Sequence, residues 1–489
     1  MNCLCLFFAL LGLAITPEEP LATDTLPNRT IAVMVGSIGE AHVQKAYPSS
    51  TPQRYDDIMD AFTALVRHKA DYVLTSYAMS NAAARSNPGI KVLPQVVMDE
   101  GAFIATSKND PQLTHQIDSL INEWRENGTL GTIISHWIRE DSSPYEVPTF
   151  ANLPTKNPPL RVATSADREP MSFIKNNAWC GMDWEMAMRI GEALQRQVVV
   201  MDMKFASMVV AIQSGKADMI ASNLAYTAER AQKVNYSPMY FANPQVFCVP
   251  SDVKVADGHF LKSLKNSYIN NVVKEKRYLL IWDGLKTTLA ISFFAGVLGS
   301  LLGVGICALR MSRRRVLRSL ALVYITLFRG IPQVVILMIM YYVVLVHTSL
   351  SPVAVAIVSF SMVFGSYTAE IFRAAVTSIP KGQREAGLSL GFTKFQTFVT
   401  IIMPQAARVV KPVFKGELVS LIKITSIVGY IAVQDLTKAS DIIRSRTFDA
   451  FFPLLLSALI YLIIIWLVTL LLDGLFGNQR IHRVSTRNA

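Results

Sequence analysis

The sequence predicts an exported α/β region followed by an all-α bundle of five membrane helices. Three observations lead there. Residues 30–260 mix charges, prolines and amphipathic segments in which strand-like and helix-like patterns alternate. Residues 287–309, 330–369 and 450–472 carry no Asp, Glu, Lys or Arg, and about 20 apolar residues suffice to cross the hydrocarbon core as a helix. A short apolar run, residues 4–15, opens the chain and fits the h-region of a secretory signal.

The composition agrees. A chain of 489 residues has room for about three domains. Only 17% of the residues are charged, against about 25% in an ordinary soluble domain, which excludes a disordered chain, a coiled coil and a typical cytosolic globule. The 47 basic and 36 acidic residues leave a net charge of +11. Cytoplasmic loops rich in Lys and Arg explain that excess in a membrane protein, so membrane lipid is the expected surrounding and nucleic acid is not an expected partner.

Residues 1–23 read as the signal. They lack the usual basic n-region, the first Lys or Arg being Arg29, so an uncleaved anchor is the competing reading. Two α/β stretches follow, 24–141 and 160–257. In the first, Ile31-Ala-Val-Met-Val35 is a strand, Ile58, Phe62, Leu65 and Val66 mark one helix, and Tyr72-Val-Leu-Thr75 is a strand. Leu113, Ile117, Leu120, Ile121 and Trp124 form a second helical stripe. A proline-rich linker covers 142–159. In the second stretch, Leu160-Arg-Val-Ala163, Val198-Val-Val-Met201 and Met219-Ile-Ala221 are strands separated by helical patterns. Alternation of this kind implies a parallel sheet with ligands at the strand ends. Cys180 and Cys248 are too few for a disulfide framework and read as free thiols.

After a linker at 258–280 the membrane domain spans 281–477, with a tail at 478–489. Residues 287–309 and 450–472 are single spans. His347-Thr-Ser-Leu-Ser-Pro352 divides 330–369 into two. A fifth, at 418–433, holds Lys423 and follows Arg408, Lys411, Lys415 and Glu417, as in a helix packed against protein; an amphipathic surface helix is the alternative. Arg310, Arg313, Arg314, Arg315 and Arg318, and the tail's Arg480, Arg483 and Arg487, place that loop and the C-terminus in the cytoplasm. The region before about residue 280 is then extracytoplasmic, in a multi-pass protein of the cell membrane.

Several motifs of the exported region resemble the periplasmic binding proteins for polar amino acids, a two-lobed α/β fold. They are Arg161-Val-Ala-Thr164, Trp179-Cys-Gly-Met-Asp183, Thr227-Ala-Glu-Arg230 and Tyr236-Ser-Pro-Met-Tyr240 for the first lobe, and Ala32-Val-Met-Val-Gly-Ser37 and His68-Lys-Ala-Asp71 for the second. Glu126-Asn-Gly-Thr129 and His136-Trp137 resemble the closing helices. Lobe two and the closing helices come first here, so the resemblance implies a circular permutation; two damaged copies in tandem are the alternative. The resemblance also implies substrate-binding positions. Arg230 would clamp a ligand carboxylate with its planar fork, and Phe205 would stack on the ligand. Asn223 and Ala225 would present backbone groups, and Ser37, Ser76 and Ser165 complete the set. Ser76 and Ser165 stand where acidic residues are usual, so a ligand ammonium lacks its usual partner unless Asp167 or Glu169 supplies one. Arg168 occupies an aromatic position.

The membrane region carries a second resemblance. Glu385, Ala386 and Gly387, three residues, Gly391, nine residues, then Ile401 and Met403-Pro404 reproduce the coupling loop of importer-type ABC permeases. Ile281-Trp-Asp-Gly-Leu-Lys-Thr-Thr288, Leu327-Phe-Arg-Gly-Ile-Pro-Gln333 and Tyr367-Thr-Ala-Glu-Ile-Phe-Arg373 are similar to amino-acid permeases. The resemblance implies a permease subunit, probing small-molecule solutes through a fused binding domain, with a dimeric ABC ATPase partner and a second copy of itself. The sequence has no phosphate loop of the Gly-x-x-x-x-Gly-Lys-Ser/Thr type and no zinc-ligand spacing. No catalytic residue, metal or cofactor is expected, ATP being used by the partner. A ligand-gated channel or receptor, and a dehydratase or lyase built on the binding fold, are the alternatives.

Overall fold

A computed structural model of the chain describes residues 29–139, 146–150, 157–251, 265, 267–348, 350–447, 449 and 451–476. The expected signal, the tail at 478–489 and parts of both linkers lie outside the described residues. The chain divides into two compact units. One comprises residues up to 284 together with Gly429–Leu454; the other comprises Leu285–Val428 and the residues from 455 on.

The first unit holds two sheets of the same design. The first has the order β2-β1-β3-β14-β4, from β1 (Thr30–Met34), β2 (Thr51–Tyr55), β3 (Tyr72–Ser76), β4 (Ile90–Met98) and β14 (Gln245–Pro250). β1 runs parallel to β2 and β3, and β14 is antiparallel to β3 and β4. β2 with Pro52 and β4 with Pro94 are edges, as a residue without an N–H favours, and Pro250 stands at the last position of the inner strand β14. Ile31, Val33, Leu74 and Phe247 pack with Val43 of α1 (Ile38–Ala46) and with Tyr47, which ends it. On this lobe also lie α2 (Ile58–Val66), capped by Asp57 accepting from the Met59 N–H, and α3 (Tyr77–Ser86).

The second sheet has the order β10-β6-β11-β5-β12, from β5 (Gly101–Ser107), β6 (Leu160–Thr164), β10 (Val198–Asp202), β11 (Met219–Leu224) and β12 (Val234–Tyr236). β13 (Phe241–Ala242) pairs with β5. A small sheet, β7 (Asp167–Arg168), β8 (Ser172–Lys175) and β9 (Ala178–Cys180), sits beside it. The closing helices α4 (Pro111–Glu126) and α5 (Thr129–Trp137) bury Leu113, Ile117, Ile121, Trp124, Leu130 and Trp137 with Leu160, Val162, Phe173 and Met186. Trp137 is fully buried, and its indole N–H donates to Glu185 at 2.7 Å. α6 (Met182–Ala193), α7 (Phe205–Gln213) and α8 (Ala228–Ala231) complete this lobe. Cys180 and Cys248 are buried, unpaired thiols.

The boundaries read from sequence are crossed twice. β5, from the first stretch, is antiparallel to β11 in the second sheet, and β14, from the second stretch, completes the first. Period-two patterning reports that a segment is a strand; it carries no address for the partner. The segment 429–454, assigned from sequence wholly to the membrane domain, also belongs to the first unit.

The second unit contains α9 (Tyr278–Arg310, its first turns lying in the first unit), α10 (Arg315–Gly330), α11 (Gln333–Ile339), α12 (Pro352–Ser378), α13 (Lys381–Ser389), α14 (Met403–Ile424) and, after α15 (Leu436–Thr447) of the first unit, α16 (Phe451–Phe476). Among the described residues, α9, α12 and α16 are long and apolar enough to cross a membrane. Two bent pairs bring the number to as many as five if each counts as one span: α10 with 333–344, bent by 109°, and 394–431 with α15, bent by 57°. The apolar stretch 330–369 breaks between residues 344 and 352, where two spans were expected to part, but its two helical parts are unequal. Its first helical part ends at residue 344, too short alone to cross, and Gly330-Ile-Pro332 turns it away from α10, since a residue before proline avoids helical angles. Ser351 caps α12 by accepting from the Ala354 N–H. The expected span at 418–433 is the end of α14, which starts at Met403; the charges at 408–417 hide its first half. Lys415 pairs there with Asp473 at 2.8 Å.

These exchanged strands make a testable prediction. Residues 29–139 alone lack β14 and the sheet beneath α4 and α5, so they should show no cooperative melt. Residues 29–251 should melt in a single transition by circular dichroism. Two independent transitions in the longer fragment would mean two separately folding copies.

Candidate functional site

The chain passes between the two sheets twice, from β4 to β5 through Asp99 and Glu100, and from β13 to β14 through Asn243 and Pro244. Between the sheets lies a cleft lined by Ser37, Ser76, Glu100, Arg168, Phe205, Asn223, Ala225, Arg230 and Gln245, with Met34, Ile38, Leu74, Thr75 and Met79. Six of the seven sequence-derived binding residues meet there. Ser165 does not line the cleft: it is buried, and its carbonyl accepts from the Ser172 hydroxyl at 2.8 Å. Asp167 and Glu169 are also absent from the lining. Glu169 instead bonds Arg446.

Local structure sets each side chain. Thr227 caps the short α8 by accepting from the Arg230 N–H at 3.1 Å. The Arg230 guanidinium then donates to Ala225 O at 3.2 Å and, across the cleft, to Gly36 O. Ser37 caps α1, accepting from the Glu40 N–H. Ser76 ends β3 and stands at the N-cap of α3. Asn223 has φ +46°, which asparagine tolerates better than most residues. The buried Asp183 pins it, accepting from the Asn223 N–H at 2.6 Å and the Tyr240 hydroxyl at 2.5 Å. Asn243 at the crossing joins the lobes: its amide donates to Asn223 Oδ1 at 3.1 Å, and its Oδ1 accepts from the Ala78 N–H at 3.0 Å.

Charge in the cleft is mainly positive. The Arg168 guanidinium lies 4.2 Å from the centre of the Phe205 ring and that of Arg230 lies 5.2 Å from it, distances at which ring and cation attract. Burial pushes the Glu100 carboxyl up to about 7, against the pull of the Gln245 amide and the two arginines. Burial also raises Asp183 to about 6, opposed by its Tyr240 and Asn223 hydrogen bonds. Glu100 and Gln245 are residues that sequence reasoning missed. They sit at a crossing between sheets, which only the strand order reveals.

Ion pairs tie α15 to both lobes of this unit. Lys438 lies 3.2 Å from Asp202, and Arg446 bonds Glu169, both on the lobe of β6. Arg444 lies 2.9 Å from Asp60 on α2, in the lobe of β1. Ala439, Ile442 and Ile443 pack against Ala166 and Ile174.

In the second unit, α13 carries exposed Glu385 and Ala386. Gly391 follows at φ +86°, and Thr393 forms a capping box with Gln396 that starts the next turn. Gly387 is buried where the helices meet: a Cβ there would lie 2.7 Å from Thr397 Cγ2 and 2.8 Å from Ile401 Cδ1. Pro404 occupies the first turn of α14. The result is an elbow that exposes Leu390 (77%) and Phe395 (75%). A separate cavity of about 260 Å³ is lined by Gln333, Tyr367, Glu417, Ser420 and Lys423 among apolar residues.

Comparison with known proteins places the membrane part. Residues 295–480 match the family described as binding-protein-dependent transport system inner membrane component. The chain is 37% identical over 203 residues to the "Probable amino-acid ABC transporter permease protein YckA" of Bacillus subtilis (strain 168), covering 41% of this chain and 90% of the relative. It is 34% identical over 202 residues to the L-cystine transport system permease protein TcyB of the same organism, covering 41% and 86%. Among solved structures, an amino acid ABC transporter crystallised with histidines is 29% identical, with a TM-score of 0.39, covering 45% of this chain and 99% of that chain.

The Glu100 shift has a stability consequence. Between its ordinary value of 4.5 and about 7, the unfolded chain is ionised while the folded chain keeps the proton. Stability from this group is therefore full at low pH, falls as pH rises through that window, and is level above it. Glu100→Gln should melt like the parent at pH 4 and higher than the parent at pH 8. Equal melting temperatures at both pH values would place the carboxyl in water.

Proposed function

The chain belongs to the family of binding-protein-dependent transport system inner membrane components, and on that premise we propose that it is the membrane subunit of an ABC importer for polar amino acids or related small carboxylate solutes, carrying its own solute-binding domain. The observation that carries this reading is the elbow. An exposed, apolar-tipped helix–glycine–helix projection, held by Gly387 and Gly391, is a grip for another protein. A channel or receptor has no use for it. The chain has no phosphate loop, so ATP hydrolysis belongs to a separate ATPase dimer gripping the elbow.

The binding unit is a circularly permuted two-lobed binding domain. Its support is the strand order: both sheets place an antiparallel strand, contributed by the other half of the chain, at the same position. Solute enters the cleft, and its carboxylate engages Arg230. Ser37, Ser76, Phe205, Asn223 and Ala225 surround it. α15, bonded to both lobes, reads their closure and is continuous in the chain with the membrane helices on either side. Two copies form the pore, two-fold symmetry being the common arrangement; the exposed apolar surface of α16 is available for lipid or the second copy. The binding unit faces outward, and the elbow and C-terminus face the cytoplasm, as the basic loop at 310–318 favours.

Two outcomes test this reading. Gly391→Val forces a branched side chain to φ +86°, which is strained. It should abolish solute-stimulated ATP hydrolysis in complex with the ATPase while solute binding stays at the parent level. Full stimulation would remove the coupling role. Arg230→Ala should weaken solute binding by roughly thirtyfold or more, since unpairing a buried charge costs about 2–5 kcal/mol and each 1.4 kcal/mol is about tenfold. Arg230→Lys should rescue little, because a point charge cannot make the fork. Unchanged calorimetric affinity in folded Arg230→Ala would move the carboxylate elsewhere.

A further inference from the structure

The cleft holds a second guanidinium that the carboxylate site does not use. Arg168 lies on β7, in the small sheet, and is 2% exposed. It donates to the Ser222 carbonyl at 2.8 Å and to the Met34 thioether sulfur at 2.9 Å. A thioether is a weak acceptor, and a guanidinium has five N–H groups to place. No carboxylate stands within ion-pair distance of Arg168 among the described residues. A buried cation without an anionic partner is expensive, and here it is aimed into a cleft rather than into the core.

Its neighbours sharpen the chemistry. Arg168 and Arg230 share the Phe205 ring, so the two guanidinium groups lie within one small ligand's reach of each other. The cleft's single carboxyl, Glu100, sits with Gln245, whose Oε1 is buried and without a partner. Ser76, where the resemblance implies an acidic residue, lines the cleft without a charge. Two fixed cations against at most one anion leave the cleft positive whatever the state of Glu100.

From this geometry we propose that the cleft takes a solute with two acidic groups, one on Arg230 and the second on Arg168. The proposal rests on the cleft being the solute site. Arg168 is then the residue that selects diacids from neutral amino acids: a neutral amide in place of the second acid leaves the buried guanidinium unpaired, and sites built around a charged hydrogen-bonding partner discriminate strongly against analogues that lack it.

The test uses the purified full-length protein in lipid nanodiscs and isothermal calorimetry with three probes of similar length: L-glutamate, glutarate and L-glutamine. Both diacids should bind, with L-glutamate at least about tenfold tighter than L-glutamine, the equivalent of about 1.4 kcal/mol. Arg168→Met, similar in length and uncharged, should erase that preference, and Arg168→Lys should restore part of it; melting temperature checks that each variant folds. The parent protein alone already decides the matter if either variant fails to fold. Equal affinity for L-glutamate and L-glutamine, or undiminished preference in folded Arg168→Met, overturns the second acid site and leaves the solute-binding reading intact. Absence of heat with all three probes overturns the cleft as the site for small carboxylates, and this proposal with it.

Discussion

Neither of the two larger sheets of the first unit is complete without a strand from the other half of the chain. β5 fills the fourth place of one sheet and β14 fills the same place in the other. A sheet missing that strand would leave β11 and β12, or β3 and β4, with unpaired backbone groups along their inner edges, a large penalty away from water. This reciprocal exchange fixes everything near the cleft. It brings Glu100 and Gln245, which lie on the two crossings, to the same floor. It also lets Asn243 hydrogen-bond both lobes at once. A two-lobed body with two short crossings can open and close about them while each lobe keeps its own core.

Electrostatics then divides the unit into two faces. On the α15 face the three basic residues have acidic partners: Lys438 with Asp202, Arg444 with Asp60, Arg446 with Glu169. Because those partners come from both lobes, the ion pairs favour one relative placement of the lobes, and truncating one member would leave its partner buried and unpaired. In the cleft the charges are left open. Arg168 bonds a carbonyl and a sulfur, and Arg230 two carbonyls and the Tyr236 hydroxyl, and the Phe205 ring close to both offsets part of the burial of Arg168. Sites that bind anions keep such groups oriented before the ligand arrives, so that less ordering is required on binding.

The elbow of the membrane unit shows two different reasons for glycine. Gly387 is required by space, since Thr397 and Ile401 occupy the volume of a side chain. Gly391 is required by backbone conformation, since its surroundings are open but its φ is positive. Together they set a tight angle between α13 and the helical turns that lead into α14, and the apolar residues at the tip stay exposed.

Local pattern carried much of the architecture. Uncharged runs of span length and alternation of strands with helices sufficed for an α/β domain joined to a membrane bundle, and the spacing from Glu385 to Pro404 marked the elbow. Six of the seven residues singled out from sequence line one cleft because motifs keep a fixed place on a strand end or a helix cap, as Arg230 does beside Thr227. What depends on partners distant in the chain was not legible before the fold was known. Strand patterning cannot say which sheet receives β5 or β14, so Glu100 and Gln245 stayed invisible and Ser165 was assigned to a cleft it does not line. Hydropathy cannot say that α15 belongs with the first unit, because its basic residues pair with Asp60, Glu169 and Asp202, each more than 200 residues earlier. Arg168 is the sharpest case: the sequence marked it as an oddity in an aromatic position, and only its burial beside Phe205, facing Arg230, gave that oddity a chemical meaning.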